Sequence, residues 1–286
     1  MPREILRSSV SLVGPGRAGR ALARSWISAG GRLGEVIARD LSRARDGARD
    51  IGGGNPRALD EPHAACDILV LAVPDDAIAR AARALAGRLR CRAAFHVSGA
   101  LSAAELETLG SSGAALGSLH PLRAFTGASG ETWRDAFVAM EGDADAMDIG
   151  EDLVRAIGGR PRRIAPEAKP LYHAAATLAA GGTVALVSFA ARAWQEAGIP
   201  EEEARPALAD LAARAAKAAA SHGFEEAFTG PVARRDIGTL EAHRDALAAL
   251  PDAARLYALL AAETLRRTLG KGKEDEISTL IHRFTH

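Results

Sequence analysis

The sequence predicts an α/β domain built on a mostly parallel, doubly wound sheet, followed by an all-α domain. In the first half of the chain, apolar runs typical of buried strands alternate with helical patterns, as expected when crossover helices join parallel strands. After about Pro166 the strand patterns stop, and helices rich in Ala and Leu follow. We therefore predict two domains, residues 1–165 and residues 166–286.

Five apolar runs are predicted to be the main strands of the sheet. They cover residues 9–13, 33–39, 67–73, 93–97 and 115–119, and a weaker pair is expected near 137–140 and 161–164. Helical patterns lie between them at residues 18–29, 41–50, 77–89 and 103–109. In the second half, breaks at 198–200, 223, 230–231 and 251 separate the predicted helices, the first of which runs from 166 to about 197.

The composition is that of a chain that can bury two cores and that has no excess charge. Of its 286 residues, 48% are hydrophobic, and 36 basic residues balance 36 acidic ones. A neutral chain has no field that would draw it to nucleic acid or to an anionic membrane, so we expect a small-molecule partner. No stretch resembles a signal peptide or an uninterrupted membrane span, which predicts a cytoplasmic protein. Cys66 and Cys91 lack the spacing of a metal site, and we expect no metal.

A glycine-rich turn follows the first predicted strand and opens the first predicted helix. It consists of Gly14, Pro15, Gly16, Arg17, Ala18 and Gly19. In this pattern the first glycine allows a tight turn, the second lets the backbone approach a pyrophosphate, and the third permits close helix–strand packing. The helix N-terminus supplies unpaired N–H groups to the same anion. We therefore predict that Gly14, Gly16, Arg17, Ala18 and Gly19 bind a dinucleotide, which makes the first domain a Rossmann domain. The alternative is a glycine turn with a structural role only.

The end of the second predicted strand is expected to select between NADP and NAD. Arg39 stands about 20 residues past the glycines, where an Arg accommodates the 2′-phosphate of NADP. Ser42 and Arg43 follow within one helical turn and would add a hydroxyl and a second cation. Asp40 favours the alternative, because a carboxylate at the ribose selects NAD. We predict NADP(H) rather than NAD(H); solvated surface arginines are the other interpretation.

Polar groups follow three successive predicted strands at the edge where the nicotinamide is expected. One strand ends in Val73 and Pro74 and is followed by two aspartates, the next is followed by Ser98, and the one after ends in His120. Because carboxyl ends of parallel strands line the ligand crevice, we predict that Val73, Pro74 and Ser98 contact the cofactor. Ser98 is alternatively an N-cap of the following helix. His120 is predicted to bind a substrate oxygen or, alternatively, to cap a loop.

With these motifs, the sequence resembles a Rossmann-like oxidoreductase family whose C-terminal half is a domain of unknown function. The matching segments are residues 13–19, 71–76, 96–101, 118–125, 169–176 and 229–236, with His243 downstream. More distantly, the layout is similar to pyrroline-5-carboxylate reductases, prephenate dehydrogenases and β-hydroxyacid dehydrogenases. This resemblance implies an all-α domain of the 6-phosphogluconate dehydrogenase C-terminal-like type, a homodimer formed through that domain, and hydride transfer with NAD(P)(H).

The β-hydroxyacid dehydrogenases have a Lys followed four residues later by an Asn at the start of the interdomain helix. This chain has Lys169 and His173 at these positions. The family with the domain of unknown function commonly has an Asn about eight residues further on, where this chain has Gly181. The substrate contact of that Asn is therefore missing here, and His173 in place of the first Asn leaves the division of roles open.

Lys169 and His173 stand four residues apart on a helix and therefore share one face. If that face borders the crevice, Lys169 or His173 protonates a heteroatom while hydride passes to the neighbouring carbon. The alternative is a surface Lys and a His that fills an interdomain contact. Tyr172 projects from another face and is interpreted as a packing residue, with a hydroxyl facing the substrate as the less favoured alternative.

Four residues are predicted to bind an anionic substrate: Arg123, Thr229, Arg234 and Arg235. Arg offers a planar fork that matches a carboxylate, and Gly230 and Pro231 form a turn beside Arg234 and Arg235. The whole sequence thus predicts an NADP(H)-dependent oxidoreductase that transfers hydride to or from a C=O or C=N group of a small anionic metabolite. Two alternatives are an NAD-dependent dehydrogenase of the prephenate type and a regulatory protein that binds NADP(H) without catalysis.

Overall fold

The computed structural model describes residues 2–128, 130–269 and 276–284, and the chain divides into two compact units, Met1–Thr177 and Leu178–His286. The first unit contains an eight-stranded sheet. Its strands are β1 (Ser9–Val13), β2 (Arg32–Ala38), β3 (Asn55–Ala58), β4 (Cys66–Leu71), β5 (Cys91–His96), β6 (Ala115–Pro121), β7 (Phe137–Gly142) and β8 (Arg160–Arg163).

The strand order in the sheet is β3-β2-β1-β4-β5-β6-β7-β8. All pairs from β3 to β6 are parallel, β7 runs antiparallel to β6, and β8 runs parallel to β7. The order therefore reverses at β1, which lies between β2 and β4. In doubly wound sheets the ligand crevice opens beside such a reversal, at the carboxyl ends of the strands. The predicted Rossmann fold is confirmed.

Helices cover both faces of this sheet. They are α1 (Pro2–Ile5), α2 (Arg17–Ser28), α3 (Leu41–Ile51), α4 (Asp75–Leu85), α5 (Glu107–Gly110), α6 (Ala144–Ala156) and α7 (Lys169–Thr177). One core cluster includes Trp26, Phe95 and Trp133, and a second includes Leu71, Ile78 and Leu85. Burial of such apolar side chains contributes on the order of 2 kcal/mol each and fixes the strand ends that line the crevice.

The predicted strands match the observed ones closely, with one omission. No strand pattern marks β3 in the sequence, and its residues include Pro56. Proline cannot donate to a ladder and is tolerated at a sheet edge, which is where β3 lies. The predicted helix at 103–109 is instead a 3-10 turn, Ala103–Leu106, followed by the short α5.

The second unit is all-helical in its described residues. It begins with a π-helical turn, Leu178–Gly182, and continues with α8 (Thr183–Glu196), α9 (Glu201–His222), α10 (Phe224–Ala227), α11 (Pro231–Arg234), α12 (Ile237–Leu247), α13 (Pro251–Leu269) and α14 (Glu276–His282). The predicted breaks at 198–200, 223, 230–231 and 251 all separate helices. The predicted domain boundary was Ala165, whereas the first unit extends to Thr177, because α7 packs on the sheet through its buried Lys169.

One helical stretch, Pro166–Glu196, is long and apolar enough to cross a membrane by length and composition. Its most apolar window has a mean hydropathy of 1.7, and only 6% of that window is buried. The sequence-based expectation that no such stretch exists was therefore wrong. Buried ion pairing at Lys169 attaches the N-terminal part of the stretch to the sheet, as described below.

Candidate active site

Two glycines of the turn after β1 are required by the protein's own packing. Gly14 has a φ of +85°, and a Cβ at this position would lie 2.6 Å from the Ala72 carbonyl oxygen. A Cβ on Gly19 would lie 2.5 Å from the Gly14 carbonyl oxygen. Since real Cβ atoms do not approach so closely, any larger residue would displace α2 or the end of β4.

Gly16 differs, because the protein itself leaves room for a side chain there. It is exposed, and a Cβ would meet only the Ala72 carbonyl oxygen, at 3.8 Å. Gly16 is also the N-cap of α2, and no side chain caps that helix. The Gly16 N–H donates to the Gly14 carbonyl at 2.8 Å, whereas the N–H groups of Arg17 and Ala18, in the first turn of α2, have no backbone acceptor among the described residues. These N–H groups and the open surface at Gly16 are what a bound pyrophosphate requires. The turn fits a dinucleotide, with Gly16, Arg17 and Ala18 as the residues that would hold its phosphates.

At the end of β2, the carboxylate of Asp40 is already engaged by the protein. It accepts a hydrogen bond of 2.9 Å from the Arg43 backbone N–H and caps α3, and it lies 3.5 Å from Nε of Arg43. Arg39, in contrast, is exposed and has no hydrogen bond or ion pair to any described residue. Arg39, Arg83 and Arg88 line one cavity of about 340 Å³, together with Leu59 and Asp60.

The sheet register places the predicted strand-end residues side by side. Val13 pairs with Leu71, Leu71 with His96, and His96 with Ser118. Two residues further along each strand are, in the same order, Pro15 after Val13, Val73 after Leu71, Ser98 after His96 and His120 after Ser118. At about 4.8 Å between neighbouring strands, the edge from the glycine turn to His120 spans about 14 Å. The structure thus brings the glycine turn, Val73, Pro74, Ser98 and His120 to one edge.

Ser98 and the neighbouring His96 are occupied by contacts within the protein. The buried Ser98 hydroxyl accepts hydrogen bonds from the backbone N–H groups of Ala100 and Leu101. It is not the N-cap of the following helical turn, because that position is occupied by Ser102. His96 lies fully buried, with Nε2 2.9 Å from the Ser102 carbonyl and Nδ1 accepting from the Ser98 N–H. Burial lowers the pKa of His96 to about 4, so this imidazole is neutral. The Ser98 hydroxyl is therefore directed into its own turn rather than toward a ligand.

Lys169 occupies a different place from that expected of a proton donor facing the crevice. Its side chain is 2% exposed, and its ammonium group donates to the Ser98 carbonyl at 3.2 Å, to the Ser118 hydroxyl and to Oε1 of Glu141 at 3.2 Å. Glu141 also accepts from the Ala103 N–H. Burial lowers the pKa of Lys169, and the Glu141 carboxylate opposes this effect. All three ammonium hydrogens have partners, so Lys169 fixes α7 to the ends of β5, β6 and β7.

His120 forms a hydrogen bond that the sequence did not predict. Its Nδ1 lies 2.9 Å from the Tyr172 hydroxyl, and the two rings are nearly perpendicular. Burial, together with the nearby His173 and Lys169, lowers the pKa of His120 to about 4. Burial also raises the pKa of Tyr172. The pair is therefore uncharged near neutral pH, with the phenol protonated.

His173 lies against the other side of His120, with ring centroids 5.7 Å apart. Both imidazoles approach Gly99, where a Cβ would lie 2.5 Å from Nδ1 of His173 and 2.8 Å from Nε2 of His120. Nδ1 of His173 is buried and has no hydrogen-bond partner among the described residues. Gly99 is thus needed for both rings to lie here, a role that the sequence did not predict. Tyr172, which the sequence analysis favoured as a packing residue, contributes a hydroxyl to this cluster.

The predicted anion-binding residues are distributed over both units. Arg123 is exposed, and its Nη1 donates to the Thr132 carbonyl at 2.6 Å, which holds the loop after β6. Thr229, Arg234 and Arg235 belong to the second unit, where all three are exposed. Arg235 ends α11 with a φ of 58°, an uncommon conformation for a residue other than glycine. A role for these four residues in substrate binding stays a prediction.

The open glycine turn at the first strand of this sheet defines a Rossmann-type nucleotide-binding site. Residues 9–92 match the family described as NADP oxidoreductase, coenzyme F420-dependent. Residues 136–264 match a domain of unknown function, DUF2520, and this match begins before β7, so the last two strands of the sheet belong to it. The chain is thus an NAD(P)-dependent oxidoreductase with a C-terminal domain of unknown function, and the resemblance seen in the sequence is confirmed. No protein of curated function matches the sequence.

Solved structures confirm the fold over nearly the whole chain. TM1727 from Thermotoga maritima is 25% identical, covers 92% of this chain and 99% of its own, and has a TM-score of 0.75. BF3122 from Bacteroides fragilis is 20% identical, with coverage of 91% and 98% and a TM-score of 0.70. A pyrroline-5-carboxylate reductase from Coxiella burnetii is 14% identical, with coverage of 93% and 99% and a TM-score of 0.60.

Proposed function

We propose that this protein is an NADP(H)-dependent oxidoreductase that transfers hydride to or from a C=O or C=N group of a small anionic metabolite. The observation that carries this proposal is the arrangement at one sheet edge. There, the open turn at Gly16 and the cluster of His120, Tyr172 and His173 are about 14 Å apart along the strand ends. When bound, the cofactor supplies or accepts the hydride; the protein's own residues orient the substrate and move a proton.

The preference for NADP(H) is supported by the different states of Asp40 and Arg39. A ribose hydroxyl would need the carboxylate of Asp40, which already caps α3 and lies beside Arg43. A 2′-phosphate would need free cations, and Arg39 is exposed beside a cavity that Arg83 and Arg88 also line. This supports NADP(H) over the alternative of an NAD-dependent dehydrogenase of the prephenate type.

The proposed substrate class is supported by arginines in both units. We infer that Arg123 in the first unit, and Arg234 and Arg235 with Thr229 in the second, can each bind an anionic group, because guanidinium forks match carboxylates. The pyrroline-5-carboxylate in the name of the reductase described above is a cyclic imine that carries a carboxylate, and we extend this substrate class to the present chain as the C=N form of the proposal. A carbonyl acid is the C=O form.

We further infer that the protein is a soluble, cytoplasmic homodimer. The apolar stretch Pro166–Glu196 is exposed along most of its length, which is costly in water. Its first turns are tied to the sheet by the buried Lys169–Glu141 ion pair, and this favours contact with protein rather than lipid. A second copy supplies a matching apolar surface by symmetry.

Titration with NADPH and NADH, followed by nicotinamide fluorescence, tests the cofactor proposal. We expect saturable binding of both, with NADPH tighter. Arg39→Ala should weaken NADPH binding by about 10- to 100-fold, because a charge-assisted contact of roughly 1.5–3 kcal/mol is lost, and should leave NADH binding unchanged. Arg45→Ala removes another exposed arginine, which lies in α3; it is the control and should change the binding of neither nucleotide.

Three results would contradict this proposal in different ways. Binding of neither nucleotide would refute the cofactor assignment. Equal binding of both, unaffected by Arg39→Ala, would favour an NAD-type dehydrogenase. Tight NADPH binding without turnover of any oxo acid or cyclic imine that carries a carboxylate would favour the regulatory alternative.

A further inference from the structure

We propose that Tyr172 is the residue that exchanges a proton with the reacting heteroatom of the substrate, and that His120 is its positioning residue. This inference rests on the proposed function and names the proton donor of that site. It differs from the favoured sequence-based expectation, which gave proton transfer to Lys169 or His173 and a substrate oxygen to His120. A Tyr172 hydroxyl facing the substrate was the less favoured alternative to a packing role.

Most of the other polar groups at this edge form hydrogen bonds within the protein. The Lys169 ammonium has three partners, the Ser98 hydroxyl closes its own turn, and both nitrogens of His96 are hydrogen-bonded. Nδ1 of His173 has no hydrogen-bond partner among the described residues, but it is buried and lies against Gly99. The Tyr172 hydroxyl, in contrast, has a single partner among the described residues, Nδ1 of His120, and its ring is half-buried.

The protonation states of the pair fit a proton donor that works near neutral pH. Tyr172 keeps its proton because burial raises the pKa of the phenol. His120 is neutral, because burial and the nearby His173 and Lys169 lower its pKa to about 4, while the Asp75 carboxylate opposes this only weakly. A neutral imidazole with its proton on Nδ1 donates to the phenol oxygen and leaves the phenol O–H free to face a substrate.

In the reductive direction, the substrate gains a hydride at carbon and a proton at the heteroatom. As the substrate carbon accepts hydride, the π-electron pair of the C=O or C=N bond moves to the heteroatom. That atom takes the proton of the Tyr172 hydroxyl, and the phenolate keeps the electron pair of the broken O–H bond. Nδ1–H of His120 returns a proton to the phenolate while Nε2 takes one from solvent, so the imidazole stays neutral. Transfer of that proton from Nε2 to Nδ1 through solvent then restores the starting tautomer. Oxidation of an alcohol or amine follows the same path in reverse.

The chain offers a matched control for the test. It has only two tyrosines, Tyr172 and Tyr257. The Tyr257 hydroxyl lies 3.0 Å from Nδ1 of His243, and these rings are also nearly perpendicular. This second pair belongs to the second unit, whereas the glycine turn belongs to the first. A measurement on both tyrosines therefore separates a response at the site from a general property of His–Tyr pairs.

The test uses the full chain labelled with 3-fluorotyrosine, whose more acidic phenol titrates where the protein stays folded. Two ¹⁹F resonances are expected, and Tyr257→Phe assigns them. With NADP⁺ bound, we expect the Tyr172 phenol to titrate about one pH unit or more below its value with NADPH bound, because a nearby positive nicotinamide stabilises the phenolate. The Tyr257 titration should not change.

Each outcome decides a different point. If both nucleotides bind and the Tyr172 titration is the same with either, the role of Tyr172 is refuted while the proposed function stands. If neither nucleotide binds, the proposed function itself fails. For any substrate that is turned over, Tyr172→Phe should lower kcat by about 10²- to 10⁴-fold with little change in KM, and a retained kcat would overturn the inference.

His120 is tested by two variants. His120→Ala removes the partner of the phenol and should abolish the difference between the NADP⁺ and NADPH titrations of Tyr172. His120→Asn keeps a donor close to the position of Nδ1 and should restore most of that difference. If His120→Ala behaves like the wild type, His120 does not position Tyr172.

Discussion

His96 is a residue whose burial makes the stability of the first unit sensitive to acid. It is fully buried, and both of its nitrogens are hydrogen-bonded in the neutral state. Burial lowers its pKa from the ordinary value of 6.5 to about 4. A group with a depressed folded-state pKa is protonated more readily in the unfolded chain. The contribution of neutral, buried His96 to the free energy of unfolding is therefore complete above pH 6.5, and it is lost as the pH falls from 6.5 to 4.

His96→Gln should weaken this acid sensitivity. Its amide keeps a donor for the Ser102 carbonyl but does not titrate, so the free energy of unfolding should fall less between pH 6.5 and pH 4 than in the wild type. The difference should be roughly 1–3 kcal/mol. Urea unfolding at the two pH values measures it, with the exposed His222→Gln as control. Parallel pH dependences of wild type and His96→Gln would contradict the assignment.

Lys169 shows how much of a single residue's role a sequence predicts. The spacing of Lys169 and His173 correctly placed both near the start of a helix, at the edge of the sheet. The partners of Lys169 could not be predicted, because Glu141 and Ser118 lie 28 and 51 residues away in the chain and on different strands. No local pattern shows that a lysine will be buried against them. The hydrogen bond of Tyr172 with His120, 52 residues away, escaped prediction for the same reason.

At the scale of an element, the turn from β1 into α2 combines glycines of two kinds. Gly16 has a φ of −75° and a ψ of −170°, which any residue adopts, and its Cβ position is open. The Cβ position of Gly19 is blocked by the Gly14 carbonyl. The GxGxxG pattern predicted a packing role for some glycines and a binding role for others, and the structure shows that packing requires Gly14 and Gly19 but leaves the Cβ position of Gly16 open.

Gly16→Ala should therefore change binding more than folding, and Gly19→Ala the reverse. We expect Gly16→Ala to alter the free energy of unfolding by about 1 kcal/mol or less and to weaken NADPH binding by at least about tenfold. Gly19→Ala should destabilise the protein by several kcal/mol through overpacking. Urea unfolding and fluorescence titration of both variants give the comparison. Equal losses of stability in the two variants would show that Gly16 is also required by the fold.

Among the elements themselves, strands with strong apolar patterns were predicted best. β1 was predicted with the bounds that it has, Ser9–Val13, because five buried residues are followed at once by the glycine turn. β3 was not predicted, since its four residues, Asn55–Ala58, carry no apolar alternation and pair only with β2. The π-helical turn at Leu178–Gly182 likewise has no sequence signature beyond its small residues.

At the scale of the whole molecule, the second unit leaves several large apolar side chains exposed. Leu178 and Val184 are 74% and 71% exposed. The core cluster shared by α8 and α9 contains only three buried residues, Ala191, Ala204 and Leu208. Packing within this part of the chain therefore leaves the apolar face of the Pro166–Glu196 stretch uncovered. A stable interface buries about 1,200–2,000 Å² in total, and an exposed helical face of this length supplies a large part of that area.

We accordingly predict that the protein is a dimer of about 59 kDa, twice the chain mass of 29.7 kDa, when measured by size-exclusion chromatography with light scattering.

A charge in the interface is costly to desolvate without a partner, so Val184→Arg should shift the protein toward the monomer without loss of helical circular dichroism. Leu259→Arg introduces the same charge at a residue of α13 that is 70% exposed, and it should leave the dimer intact. Dissociation by Leu259→Arg alone would place the interface on α13. A wild-type protein that is monomeric at every concentration would refute the dimer, and the exposed stretch would then need another partner.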